Sequence, residues 1–393
     1  MSSRLYRDAA FADGRSATLR VGVSILVDDD RVTWIRPSDG EEEIGPAVKV
    51  IDASGTTVVP GLVDCHSHLT LPGGAHWLDH VGDSPDQLIE TAEGNGRLLN
   101  AAGIRWARDV GAPVGTDPHD GGVRALSLGI RDRWDGRKDR PYVRAAGTFI
   151  QRPDTVPRGV DAGPSLSAQV ELELDRGATL IKLYPESGFP QEFAWSAHEV
   201  RAAVASAHAR GSRVTAHAST RETASACVEA GVDSIEHGFE IDDDTARLMA
   251  ARGVALVSTL ALFRSWTSFS RTTSIPRFTS PEGLARLAAR RERAVESVRT
   301  AHRAGVLIAA GTDFGGGSTR ANQLAWEVES LVEAGLEPWE ALAAATWRGG
   351  TVLAEPDAGV VREGGPSDFL LVHGDPLSDP TALWRVWRVA WGD

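Results

Sequence analysis

The chain is poor in cysteine: Cys65 and Cys227 are the only two, too few for a disulfide framework or a thiolate zinc site. It has no apolar stretch near the length of a membrane span, and Met1–Gly14 lacks the apolar core of a signal peptide. A reducing, cytoplasmic setting is the expectation. Positive charge is short as well. The net charge of −13 argues against nucleic acid, whose phosphates need a clustered basic surface. Acidity on this scale serves solubility and points to no substrate. Lysine is nearly missing: of 41 basic residues only Lys49, Lys138 and Lys182 are lysines. A chain that otherwise uses arginine has kept Lys182 inside the apolar run Ala178–Tyr184.

What is present points to an α/β fold. The 393 residues suffice for one large barrel with an accessory domain, or for two or three ordinary domains. Leu19–Val27, Arg31–Ile35, Val48–Ile51 and Thr57–Val59 read as short strands parted by turns such as Asp28–Asp30 and Ser38–Gly40. Ser367–Val372 and Val386–Trp391 read the same way, so the two chain ends can meet in one small β domain. The centre alternates β-rich runs with alanine-rich helical stretches, the mark of βα units on a parallel sheet. Eight such runs occur: Thr57–Val63, Gly103–Val110, Tyr142–Ala146, Thr179–Leu183, Arg213–Ala216, Val232–Ile235, Val254–Ser258 and Val306–Ala310. Eight units fit a closed barrel better than an open sheet. The expected architecture is a (β/α)₈ TIM barrel over residues 60–358, with a small β-sandwich from residues 1–59 and 359–393. Two stretches rich in turn formers, Thr148–Ser167 and Leu262–Ser280, read as long loops after runs three and seven. On a barrel such loops lie on the active-site face, as substrate walls and a lid, or are plain solvated surface.

The chemistry sits at the ends of these runs. In Val63–His68 two histidines, His66 and His68, stand at i and i+2, so both face the same side of an extended chain. His217 ends run five, His237 ends run six and Asp313 follows run eight. Any one of them alone reads as a satisfied buried polar group. Four strands ending in imidazole or carboxylate on one rim are hard to explain as packing, because buried ionisable groups are costly unless paired or bound to metal. Nitrogen and oxygen ligands without thiolate suit Zn²⁺, with Mn²⁺, Co²⁺ or Fe²⁺ as replacements. Lys182 ends run four among apolar neighbours. Burial lowers a lysine pKa and frees the amine, which can add CO₂ to form a carbamate. The other reading is an ordinary lysine paired with Asp313 or Glu186.

These residues resemble the amidohydrolase superfamily. Pro60–His68 is similar to that family's first-strand motif, and Gly103–Gly111 to its second-strand segment. Ala230–Gly238 and Ala310–Asp313 look like its sixth and eighth strand ends. Leu342–Thr346 and Gly365–Val372 resemble its C-terminal helix and return strand. Within the family the chain looks most like the prolidase and imidazolonepropionase-like branch. The resemblance implies two metal ions: His66, His68 and Asp313 on one, His217 and His237 on the other, bridged by a carbamylated Lys182. Deaminase-type members place a glutamate three residues after the strand-five histidine; here that position is Thr220. Prolidase-like members offer a histidine after strand three, and Ala146–Arg152 contains none. Arg152, Tyr184 or the metal would then polarise the scissile carbonyl.

The expected activity is hydrolysis of an amide bond, of dipeptide, Xaa-Pro or N-acyl amino acid type, by a metal-activated hydroxide with Asp313 as general base. A mononuclear cyclic-amide or lactone hydrolase is the alternative, and a non-catalytic barrel scaffold a third reading. Arg152, Arg158, Arg264 and Arg320 lie near the expected active-site loops, as carboxylate anchors or as solvated surface residues. Trp77 and Trp266 line a pocket or cover the barrel. The expected partner is a small-molecule substrate, with no nucleic acid and no membrane, and a homo-oligomer is the expected assembly.

Overall fold

The computed structural model describes residues 3–41, 43–152, 160–161, 165–187 and 192–392. Along the chain the N-terminal strands are β1 (Ser3–Phe11), β2 (Arg20–Asp28), β3 (Arg31–Pro37), β4 (Lys49–Asp52) and β5 (Thr56–Pro60). Eight central strands follow: β6 (Leu62–Ser67), β7 (Ile104–Asp109), β8 (Tyr142–Ala145), β9 (Leu180–Leu183), β10 (Arg213–Ala218), β11 (Ser234–His237), β12 (Ala255–Ser258) and β13 (Ile308–Ala310). The chain closes with β14 (Phe369–His373) and β15 (Val386–Val389).

Both chain ends share one seven-stranded sheet, in the order β15-β14-β5-β1-β2-β3 with β4 beside β1. Its core gathers Tyr6, Ile25, Val27, Val58, Phe369 and Leu371 from the two ends. The first expected central run, Thr57–Val63, is divided between two sheets at Gly61. Thr56–Pro60 pairs antiparallel with β14, whereas Leu62–Ser67 pairs parallel with β7. A side chain at residue 61 would lie 2.7 Å from Arg105 Cβ, so glycine is what lets the chain cross there.

The central strands are parallel. β6, β7 and β8 pair in that order, as do β9, β10, β11, β12 and β13. Backbone hydrogen bonds also link the edges of these two sets. Thr179 N donates to Ala145 O, Asp313 N to His66 O and His68 N to Phe314 O.

The flanking helices begin where the sequence supplies caps. Ser84 and Gln87 form a reciprocal capping box on helix Pro85–Ala101, and Ser196 and Glu199 do the same on Ala197–Ala209. Gly231 and Gly253 end Arg221–Ala230 and Asp243–Arg252 in the left-handed conformation. No helix is long and apolar enough to cross a membrane among the described residues.

Leu262–Ser280 is not a loop. It lies in helix Ala261–Ser268, a 3₁₀ turn at Phe269–Arg271 and a short helix at Pro276–Thr279. Its serine and threonine hydroxyls bond back onto carbonyls one turn earlier, as Thr267 does to Phe263 O and Ser268 to Ser265 O. Burial of Leu262 and Phe263 overrides the turn-like composition. In Thr148–Ser167 the described part includes the strand Phe149–Gln151 and the pair Val160–Asp161, while residues 153–159 and 162–164 lie outside the described residues.

Candidate metal centre

Six side chains converge at the carboxyl ends of the central strands. His66 lies on β6 and His68 just past it; Lys182 is on β9, His217 on β10, and His237 ends β11. Asp313 follows β13. All six are buried, none more than 9% exposed. Two of them sit on unusual backbone: His237 has φ 67° and Asp313 φ 52°. Non-glycine residues rarely adopt positive φ, and such strain collects at functional sites. At β11 it has a clear use. Strand alternation would send Glu236 and His237 to opposite faces. The left-handed turn at His237 lets Glu236 reach His66 while the His237 ring still lies 4.7 Å from the His66 ring and 4.6 Å from that of His217.

Asp313 Oδ1 lies 3.3 Å from Nε2 of both His66 and His68. Ligand atoms of His66, His237 and Asp313 all fall within 4.8 Å of one another, close enough to hold one metal ion. The glycines after Asp313 allow this crowding: a Cβ on Gly316 would lie 2.4 Å from the His68 ring, and one on Gly317 2.3 Å from Asp313 Oδ2.

Each histidine is oriented through the nitrogen that faces away. His66 Nδ1 meets Glu236 Oε2 at 2.6 Å, His68 Nδ1 donates to Gly111 O at 2.7 Å, and His237 Nδ1 meets Thr259 Oγ1 at 2.8 Å. His217 uses its other nitrogen, Nε2, toward Glu186 at 3.1 Å. Nε2 of His66 and of His68 is thereby turned to Asp313, and among the described residues Nε2 of His237 and Nδ1 of His217 make no hydrogen bond. Carboxylate, carbonyl or hydroxyl partners on the outer nitrogen are how proteins hold metal-binding imidazoles. The donor set therefore fits a divalent cation.

Electrostatics agree with that geometry. Burial works to raise the Asp313 pKa, but His66, His68 and His237 outweigh it and hold the carboxylate well below its ordinary range. Burial and the neighbouring His217 and His66 keep His237 neutral, far below an ordinary histidine. Burial also brings Lys182 down to about 8, against the pull of Glu236 and Asp313.

A family model, the amidohydrolase family, matches residues 57–389. The chain belongs to the amidohydrolase family. An uncharacterized protein of Mycobacterium tuberculosis is 31% identical over 381 residues, covering 94% of each chain. Ochratoxinase of Aspergillus niger is 27% identical over 371 residues, covering 84% of this chain and 74% of that one. Among solved structures, a prolidase complexed with N-methylphosphonate-L-proline superposes with a TM-score of 0.82 at 23% identity, covering 100% of this chain and 99% of that one. Imidazolonepropionase relatives are also similar, as the resemblance to that branch implies.

In this amidohydrolase the surrounding residues depart from expectation in several places. Lys182 makes no hydrogen bond or ion pair with any described residue, so pairing with Asp313 or Glu186 is not what holds it. Glu186 serves His217, Ser219 and Thr220 instead, and these contacts take it down to about 2 against the cost of burial. Tyr184 stacks on His217, ring centroids 4.1 Å apart. Arg152 is tied to Glu199 and Ala194 O, and Arg264 to Glu329, Glu333 and Ser330. Arg320 is exposed, its guanidinium beside Gly74. Arg158 lies outside the described residues. Trp77 is a cover residue, packed with Leu71, Leu88 and Leu126.

Sequence reasoning missed Glu236 and Arg108. Glu236 accepts from Arg108 Nη2 at 2.5 Å and from Thr215, and Arg108 Nε donates to Cys65 O at 2.6 Å. Glu236 directly precedes a metal-site histidine in Ile235–His237. The alternation rule hides it there, because only the strained His237 backbone brings both residues to one side.

Proposed function

We propose that this amidohydrolase is a metal-dependent enzyme that cleaves an amide bond in a small molecule of dipeptide, Xaa-Pro or N-acyl amino acid type. The observation that carries the reading is the set of four histidines, each pinned through its outer nitrogen, around an ionised Asp313. The likeness to ochratoxinase and to a prolidase points the same way. The eight parallel strands would form a closed (β/α)₈ barrel over residues 60–358, with the bonds from Asp313 N to His66 O and from Thr179 N to Ala145 O across its seams. Residues 1–59 and 359–393 would make a small β-sandwich, joined through β5 and β14.

His66, His68 and Asp313 would hold one cation and His217 and His237 a second, with a carbamate on Lys182 between them; Zn²⁺ suits these donors. A buried amine near pKa 8 with no partner is well prepared to take up CO₂. Bound divalent cations supply Lewis acidity, which brings the pKa of water toward neutrality and polarises a carbonyl oxygen. Asp313 accepts the proton of the attacking water on a carboxylate oxygen and returns it to the departing amine nitrogen. Tyr184, stacked on His217, and Arg152 would border the substrate. Thr220 caps helix Arg221–Ala230 through its hydroxyl, where deaminase-type members carry a glutamate, so no acid for deamination stands there.

A second reading rests on the compact triad His66, His237 and Asp313, which takes two residues from the first expected set and one from the second and can serve a single ion. A mononuclear enzyme acting on a cyclic amide or lactone would use it. One experiment separates the two. Protein supplied with zinc and bicarbonate is analysed for metal and assayed for amine release from dipeptides and N-acyl amino acids. Two metals per chain with release from a defined subset supports the binuclear amide hydrolase. One metal with turnover of lactones or cyclic amides alone supports the second reading.

A further inference from the structure

Arg290 lies within helix Pro281–Arg303, whose Ser297 hydroxyl donates to Gly238 O, just past His237. Its guanidinium stands 4.8 Å from the ring of Phe239 and 5.8 Å from that of Trp266. Phe239 in turn lies 5.3 Å from His237, so one aromatic ring separates Arg290 from the metal centre. Tyr184 and Glu186, both in contact with His217, are near enough to act on its charge.

Among the described residues this arginine has no carboxylate of its own. It makes no hydrogen bond and no ion pair with any of them. The two nearby carboxylates are engaged elsewhere: Glu186 with His217, Ser219 and Thr220, and Glu240 with Arg293. Arg152 and Arg264, by contrast, are each matched to a glutamate. A largely desolvated cation is costly, and stacking over aromatic faces offsets only part of that cost. Burial accordingly lowers the Arg290 pKa, although the residue stays charged. A planar guanidinium with free donors beside a catalytic centre matches a carboxylate, which it binds through two parallel hydrogen bonds. The surrounding rings, Phe239, Phe263 and Trp266, form an apolar wall suited to a large or aromatic group next to that carboxylate.

We propose that Arg290 is a specificity-determining residue that binds the free carboxylate of the substrate, with Phe239 and Trp266 flanking the adjoining apolar group. The inference rests on the amide-hydrolase reading and names the residue that recognises the carboxylate its substrates carry. Binding is measured by calorimetry on zinc-loaded protein with two probes that lack a scissile bond, 3-phenylpropanoate and 3-phenyl-1-propanol. Wild type is expected to prefer the carboxylate by at least about tenfold, the lower range for a charge-assisted contact. Arg290→Gln should abolish that preference, and Arg290→Lys should restore part of it. Melting temperature and metal content of both variants establish that fold and centre persist. Equal binding of the two probes by wild type would overturn the proposal. So would a preference that survives in Arg290→Gln, because the carboxylate would then sit on the metal. Amide hydrolysis by wild type, assayed in parallel, is independent of this result: a carboxylate preference without hydrolysis overturns only the activity, and hydrolysis without the preference only the role of Arg290.

Discussion

His66 and Glu236, 170 positions apart in the chain, meet through Nδ1 and Oε2 at 2.6 Å, and neither is more than 1% exposed. The same carboxylate takes the Arg108 guanidinium and the Thr215 hydroxyl. The expected ligand nitrogen of His66 is thus aimed from behind by three residues, Glu236, Arg108 and Thr215.

Glu236→Gln should loosen that aim. Loss of an outer partner of a metal-binding histidine typically costs 10- to 100-fold in metal affinity or activity, on the order of the change expected here. It also leaves Arg108 as a buried cation without its carboxylate, which costs about 3–5 kcal/mol when one partner of a buried pair is removed. Metal retained after dialysis against a chelator and the thermal midpoint measure the two effects. Unchanged metal retention would deny Glu236 its orienting role.

Asp313→Asn keeps the shape of a ligand but cannot take a proton. Turnover should fall by roughly 10²–10⁴-fold, the usual contribution of a positioned base. Metal content should be largely spared. A variant that hydrolyses its substrate near the wild-type rate would remove Asp313 from the proton-transfer step.

Lys182→Met tests the buried amine from two sides. Metal content should drop from two ions toward one per chain, because the bridging carboxylate cannot form. The metal-free fold should be as stable as metal-free wild type or more so, since a buried amine without a partner among the described residues is replaced by an apolar chain of similar length. Mass spectrometry for metal, alongside a melting curve, reads both. A destabilised protein with its metal content intact would make Lys182 a structural residue.

Glu327 gives a pH signature away from the centre. It is buried, accepts from Ser258 Oγ and Ala261 N at 2.6 Å each, and burial raises it to about 7. A carboxyl raised in the folded state holds a proton that the unfolded chain has already released. Its stabilising share is full below its ordinary value near 4.5 and is lost as pH rises through 7. Asp64, raised to about 6 by burial, acts with the same sign. Wild type should therefore lose stability relative to Glu327→Gln between pH 4.5 and 7, by a few kcal/mol as an order of magnitude. Urea unfolding of both proteins at pH 5 and pH 8 tests it; a constant difference between them would refute the assignment.

Local pattern was enough to place the ends of the central strands and the residues that stand there. His66 and His68 share one short β-rich run and His217, His237 and Asp313 each stand at the end of another, and strand geometry alone carries such residues to a common rim. Lys182 was legible for a similar reason, as one of three lysines and placed at the end of a central β-rich run.

What the tertiary structure decided depends on partners distant in sequence. Gly61 moves the chain from one sheet to another because Arg105 and Asp368 arrive beside it. Leu262–Ser280 is helical because Leu262 and Phe263 find a core to enter, which composition does not reveal. The cluster around Glu236 exists only where a positive φ at His237 breaks the alternation that a strand otherwise obeys. Arg290, one of four arginines among residues 286–293, is set apart only by the rings and committed carboxylates that surround it. Periodicity and end-of-strand placement are properties of the local backbone and can be read along the chain. The choice of partner for a buried charge is a property of what packs against it, and that is settled only when the strands and helices come together.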